Sequence, residues 1–188
     1  MKYILIIAMS LSMANNSFAQ QFFANKVSAF SVGLEAGVGT KAGIYGQSYF
    51  SLQSDAYYFK MKNSRLGEIG LFGDKPTPKL FDYALMVGKN FNVGSIHNFQ
   101  LGAGLAFTGK VTQGKYLRSG GQENSGILLF GHSVYEKIQN NTIGLPIEAK
   151  YNLQLGNIIA ISISANANLN AMQSFAGLSV GTFLGNVR

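Results

Sequence analysis

From residue 28 onward an aliphatic or aromatic residue recurs at every second position, with Gly, Ser, Thr, Asn or a charged residue between. In the stretch His97 to Lys110, Phe99, Leu101, Ala103, Leu105 and Phe107 alternate with Gln100, Gly102, Gly104 and Thr108. A period of two puts the two sets on opposite faces of a strand. The same pattern predicts strands near residues 28–39, 43–53, 56–62, 80–91, 97–110, 141–153, 159–168 and 175–187. Segments 63–79 and 113–140, the first rich in Gly and Pro, are expected to be long loops, with Gly126 to Phe130 a candidate strand extension. Asn92 to Ser95 and Gly156 mark tight turns.

Strands of about ten residues with one apolar and one small or polar face are what a barrel spanning an outer membrane requires. The expected fold is therefore all-β, an eight-stranded antiparallel transmembrane barrel with both ends at the periplasm. Short turns belong at the periplasmic end and long loops outside. Lys110, Glu148 and Lys150 all take the polar face in this register. A slip of one residue would move them into lipid, where a cation at the midplane costs about 2–4 kcal/mol.

The N-terminus adds an address. Met1-Lys2 is a basic start, Tyr3 to Leu11 is an apolar stretch, and Ser17-Phe18-Ala19 supplies small residues before a cut. The pattern predicts a signal peptide over residues 1–19 and a mature barrel domain over 20–188, beginning at Gln20. The apolar stretch is too short for a membrane anchor. With no cysteine, there is no disulfide framework, lipid-modified N-terminus or thiolate metal site.

Composition separates the membrane barrel from a soluble one. Charged residues make up 12% of the chain and apolar residues 47%, against about 25% charged in soluble domains. A soluble, lipocalin-like barrel would turn Gly102, Gly104, Ser162, Ser164, Asn166 and Asn168 toward water, giving a nearly chargeless surface. The formal charge of +7 forms no nucleic-acid-binding run or helix stripe and reads as membrane-proximal.

Three groupings are candidates for chemistry. Glu35, Asp82 and Glu148 face Lys110 and Lys150 across the predicted interior, and the expectation is an ion-paired, plugged lumen. A narrow passive pore is the competing use of the same residues. Lys115 and Arg118 in the external 113–140 segment suit the phosphates of lipopolysaccharide. His132, Ser133 and Glu136 could form a hydrolytic site near the outer rim, where an imidazole activates a hydroxyl. Adjacent residues on a strand point to opposite faces, which separates His132 from Ser133 unless Gly131 bends the chain. His97 has no evident metal partners, no phosphate-binding glycine loop is present, and no cofactor is expected.

The run Thr142-Ile143-Gly144-Leu145-Pro146-Ile147-Glu148-Ala149-Lys150-Tyr151 and the end from Gly177 to Arg188 resemble the small outer-membrane β-barrel proteins, often called porin-family or outer membrane protein β-barrel domains. The resemblance implies residence in the outer membrane of a Gram-negative-type bacterium. It also implies contact with lipid and lipopolysaccharide and insertion by the barrel assembly machinery. Many such proteins end on an aromatic residue read by that machinery, whereas this chain ends on Arg188 with Phe183 inside the last strand. The family hosts no single activity, so the expectation is a non-enzymatic barrel acting through its loops, with a rim-sited lipid A acyl hydrolase as the alternative.

Overall fold

In the computed structural model, described over residues 27–40, 43–54, 56–67, 79–119, 133–156 and 158–185, the chain forms eight strands. They are β1 (Ala29–Gly39), β2 (Gly43–Ser54), β3 (Tyr57–Gly67), β4 (Lys79–Val93), β5 (His97–Ser119), β6 (Ser133–Gln154), β7 (Ile159–Asn170) and β8 (Phe175–Gly185). Each pairs antiparallel with its sequence neighbour, and β8 closes on β1. The expected signal peptide, the start at Gln20 and the stretch Gly126 to Phe130 lie outside the described residues.

The register determines the dimensions. Stepping across paired residues from Ala29 leads through Gln53, Tyr58, Gly88, Gly102, Glu148, Asn166 and Gly177 and returns to β1 at Gly39. A stagger of ten residues over eight strands, with ordinary strand rise and spacing, gives a tilt of about 41° and a backbone radius of roughly 8 Å. An eleven-residue strand at that tilt rises about 27 Å, enough to cross the apolar band of about 25 Å.

The surface is inverted relative to a water-soluble protein. Phe30, Val32, Leu34 and Val38 of β1 point outward and are exposed, while Ser31 and Glu35 are buried. Exposed Ile143, Leu145 and Ile147 alternate in the same way with buried Gly144, Pro146 and Glu148 on β6. An apolar outside around a charged inside is the solution lipid demands, because the closed sheet leaves no backbone edge unsatisfied. No helix among the described residues is long and apolar enough to cross a membrane.

Two regions differ from the sequence expectation. The third strand runs to Gly67 rather than stopping at 62, with Tyr58, Lys60, Lys62, Ser64 and Leu66 buried inside. The connection expected at 63–79 shrinks accordingly to the residues between Gly67 and Lys79. The long connection expected at 113–140 is strand at both its ends, since β5 continues to Ser119 and β6 begins at Ser133. Among the described residues, β4 pairs with β5 as far as Val111 and β7 pairs with β6 from Gly144. Beyond those points β5 and β6 pair with each other as a two-stranded ribbon, irregular around Tyr116. Long connections mark the external end of such barrels, which makes the ribbon end external. At the opposite end, Gly94 adopts φ 65° in the tight β4–β5 turn, a left-handed conformation that a side chain disfavours.

Candidate functional site

Long side chains lie over glycines in the lumen. Tyr45, Tyr49 and Tyr58 are buried, pointing inward from β2 and β3. A methyl group added at Gly177 would meet the Tyr45 ring at 2.7 Å, and one at Gly33 would collide with Tyr49. Gly88 and Gly102 clear the same space for Tyr58. An interior of this radius has room for one large residue per level only where its neighbours lack side chains.

Charge occupies the middle of this interior. Three carboxylates, Glu35, Asp82 and Glu148, and three lysines, Lys60, Lys62 and Lys150, are buried, so their formal charges cancel. Glu35 meets the Lys150 ammonium at 2.7 Å. It also accepts hydrogen bonds from Gln47 at 2.5 Å, Ser162 at 2.8 Å and Ser179 at 2.9 Å, and from Ser164. Glu148 pairs with Lys60 and has Lys62 at 3.8 Å. The Lys150 ammonium lies 3.7 Å from the centre of the Tyr49 ring, and Lys60 lies 4.8 and 4.9 Å from those of Tyr49 and Tyr58, adding cation–π attraction. Asp82 has no lysine partner among the described residues and accepts instead from Asn168 at 2.8 Å.

Apolar side chains lie on both sides of the charged zone. Tyr45, Leu66, Leu80 and Phe175 cluster toward the external end. Tyr49, Ala160 and Phe183 cluster toward the periplasmic half. Phe183, the aromatic residue of the terminal strand, therefore points into the lumen.

Lys110 does not join the central pairs. It lies opposite Leu80 and Asn140, whereas Glu148 lies opposite Gly102, eight residues back along β5. At about 3.3 Å per residue that is roughly 26 Å, far beyond a lysine's reach. The cations that meet Glu148 are Lys60 and Lys62, which the sequence expectation omits. Their signal is present all the same: Lys60 and Lys62 alternate with Phe59 and Met61 on a single strand.

The external ribbon carries the second candidate group. Lys115 and Lys137 are exposed, Lys110 is half-buried at its base, and the backbone of Arg118 pairs with Val134. Glu136 is the exposed acid of this region among the described residues. Of the expected hydrolytic residues, Ser133 is the first residue of β6 and His132 lies outside the described residues. No group of three or more His, Cys, Asp or Glu residues able to hold a metal occurs among the described residues.

No protein-family model matches the chain, and no curated protein matches it in sequence. Solved structures do match in shape. Neisserial surface protein A (NspA) is similar at 12% identity and a TM-score of 0.57, covering 83% of this chain and 95% of that one. The chain has the fold of a small outer-membrane β-barrel. A major outer membrane protein from Thermus thermophilus is likewise similar, at 11% identity and a TM-score of 0.56, over 84% of this chain and 98% of that one. The attachment invasion locus protein Ail of Yersinia pestis, in complex with the heparin analogue sucrose octasulfate, is similar at 9% identity and a TM-score of 0.53, over 84% and 96%. Sequence divergence at this level leaves the barrel architecture as what is shared.

Proposed function

We propose that the protein is a non-enzymatic integral outer-membrane barrel that binds polyanions, lipopolysaccharide phosphates foremost, through the basic β5–β6 ribbon. One observation carries this reading: among the described residues β5 and β6 extend past their barrel neighbours and hold Lys115 and Lys137 in the open, with Lys110 at the base. The lumen supports it by offering no comparable free cation at mid-barrel among the described residues, since Lys60, Lys62 and Lys150 all meet carboxylates. A narrow passive pore would need a continuous water path through that interior, and the paired charges and apolar layers oppose one. Arg118 belongs to the same proposed contact by its place on β5. The capture of Ail with a heparin analogue supports the same chemistry for a barrel of this shape. Insertion is assigned to the barrel assembly machinery.

Lysine ammonium groups make charge-assisted hydrogen bonds to phosphate and sulfate, and exposed ones are screened by salt. The test is binding of the nanodisc-embedded protein to immobilised heparin and to lipopolysaccharide across a salt series. Affinity should fall steeply with salt, and Lys115→Gln with Lys137→Gln should weaken it at low salt. Salt-independent binding, or binding unchanged in the double variant, would overturn the proposal.

A further inference from the structure

The lipid-facing wall carries a polar row that the apolar belt does not explain. Ser48, Asn63 and Tyr83 lie side by side on β2, β3 and β4, since Ser48 pairs with Asn63 and Asn63 with Tyr83. All three point outward, and no hydrogen bond among the described residues engages the Ser48 hydroxyl, the Asn63 carboxamide or the Tyr83 phenol. Uncharged polar groups facing hydrocarbon are costly unless they are hydrogen-bonded.

The rows on either side have different chemistry. The next row toward the periplasm is Val32, Phe50, Met61 and Leu85, apolar throughout. These residues and the polar row line an open groove of about 460 Å³ on the outer wall. The next row toward the external end holds Gly46, Arg65 and Phe81. Arg65 is exposed, has no ion pair among the described residues, and stands beside a position with no side chain. Cation, hydrogen-bonding groups and hydrocarbon surface thus follow one another along the wall, spaced by about 7 Å per two residues.

We propose that this groove binds lipid A, with a phosphate on Arg65, acyl-chain hydroxyl or carbonyl oxygens on the Ser48–Asn63–Tyr83 row, and hydrocarbon over Phe50 and Met61. The order matches an amphiphile entering from the external leaflet, and the assignment rests on the proposed reading only in setting that leaflet. Arg65 near the interface can extend its guanidinium toward headgroups, forming two parallel bonds to phosphate. A second copy of the chain fits less well, because two such grooves facing each other would leave a void and bring two Arg65 cations together. A neutral hydrocarbon chain alone would leave the polar row without partners.

Full-length protein is delipidated in detergent, purified lipid A or phosphatidylethanolamine is titrated in, and bound lipid is read by native mass spectrometry. Wild type should take up lipid A in preference to phosphatidylethanolamine. Arg65→Gln and Asn63→Leu should each weaken lipid A binding about tenfold, while Lys89→Gln, at an exposed position near the periplasmic end of β4, leaves it unchanged. Lipid A should raise the melting temperature of wild type and not that of Asn63→Leu. Without lipid, Asn63→Leu should unfold no earlier than wild type, because it removes a polar group from the lipid face. Equal lipid A binding by wild type and both wall variants overturns the site, as does equal affinity for phosphatidylethanolamine or a lipid-free loss of stability in Asn63→Leu. Protein that binds lipid A at the wall yet ignores heparin would refute the ribbon reading and leave the groove standing.

Discussion

The barrel holds lysines in two opposite situations. Lys60, Lys62 and Lys150 are buried at mid-barrel against Glu35 and Glu148, whereas Lys115 and Lys137 stand exposed on a ribbon whose outer part pairs on one side per strand. A buried ammonium has lost its hydration, so it is tolerable only with a carboxylate and further hydrogen bonds around it. The exposed ammonium keeps its water and gives it up only for an incoming anion. The same residue type is thus structural in one region and available in the other, and closure of the sheet makes the difference.

The strongest way to break the comparison is to delete a buried partner. Glu148→Leu leaves both Lys60 and Lys62 without their carboxylate, and the expected loss is about 3–5 kcal/mol. Glu136→Leu on the ribbon removes an exposed carboxylate and should change stability by no more than about 0.5 kcal/mol. Urea unfolding in lipid vesicles reads both. Equal midpoints for Glu148→Leu and wild type would mean that the carboxylate is not the lysines' counterion.

A somewhat smaller effect is expected from placing a new lysine on the wrong face. Leu34 is 68% exposed on the outer wall near the middle of β1, one position before buried Glu35. Leu34→Lys should cost about 2–4 kcal/mol in a bilayer. In detergent, whose micelle deforms around the charge, the loss should be smaller. An unchanged unfolding midpoint in bilayers would put β1 outside the membrane.

These two variants also mark how far the sequence can be read. Parity alone places Leu34 outside and Glu35, Glu148 and Lys150 inside, because each residue's face follows from period two. Height along the axis does not follow from parity, since it depends on how eight strands are staggered. That is why Lys110 shares a face with Gln100 yet ends opposite Leu80, far from Glu148. The sequence pattern ends β3 too early for a related reason: Asn63, Ser64 and Arg65 are polar on both faces, so period two fails there, and only pairing with β2 and β4 carries the strand on to Gly67. The polar row on the outer wall is equally hidden, because Ser48, Asn63 and Tyr83 meet only through pairing across three strands.

On the ribbon the expected effects shift from stability to binding. Lys115→Gln should leave the unfolding free energy within about 0.5 kcal/mol of wild type while lowering heparin affinity at low ionic strength. The difference should shrink toward zero at about 1 M salt, where the screening length falls to about 3 Å. A large loss of stability instead would show that Lys115 is held by a partner as Lys150 is, and the contrast between the two regions would fail.

The smallest expected effect is none at all, and it bears on whether the ribbon is a binding surface or a reactive one. Ser133 opens β6 and His132 immediately precedes it. An imidazole acts as base for a hydroxyl only within hydrogen-bond reach, and neighbours on an extended strand are turned away from each other. Lipid A taken from cells with and without the protein should therefore carry the same acyl chains, and His132→Ala combined with Ser133→Ala should alter nothing in its mass spectrum. Loss of one acyl chain that requires both residues would turn the outer end of the ribbon into a hydrolytic site. Lys115 and Lys137 would then hold the phosphates of a substrate rather than of a ligand.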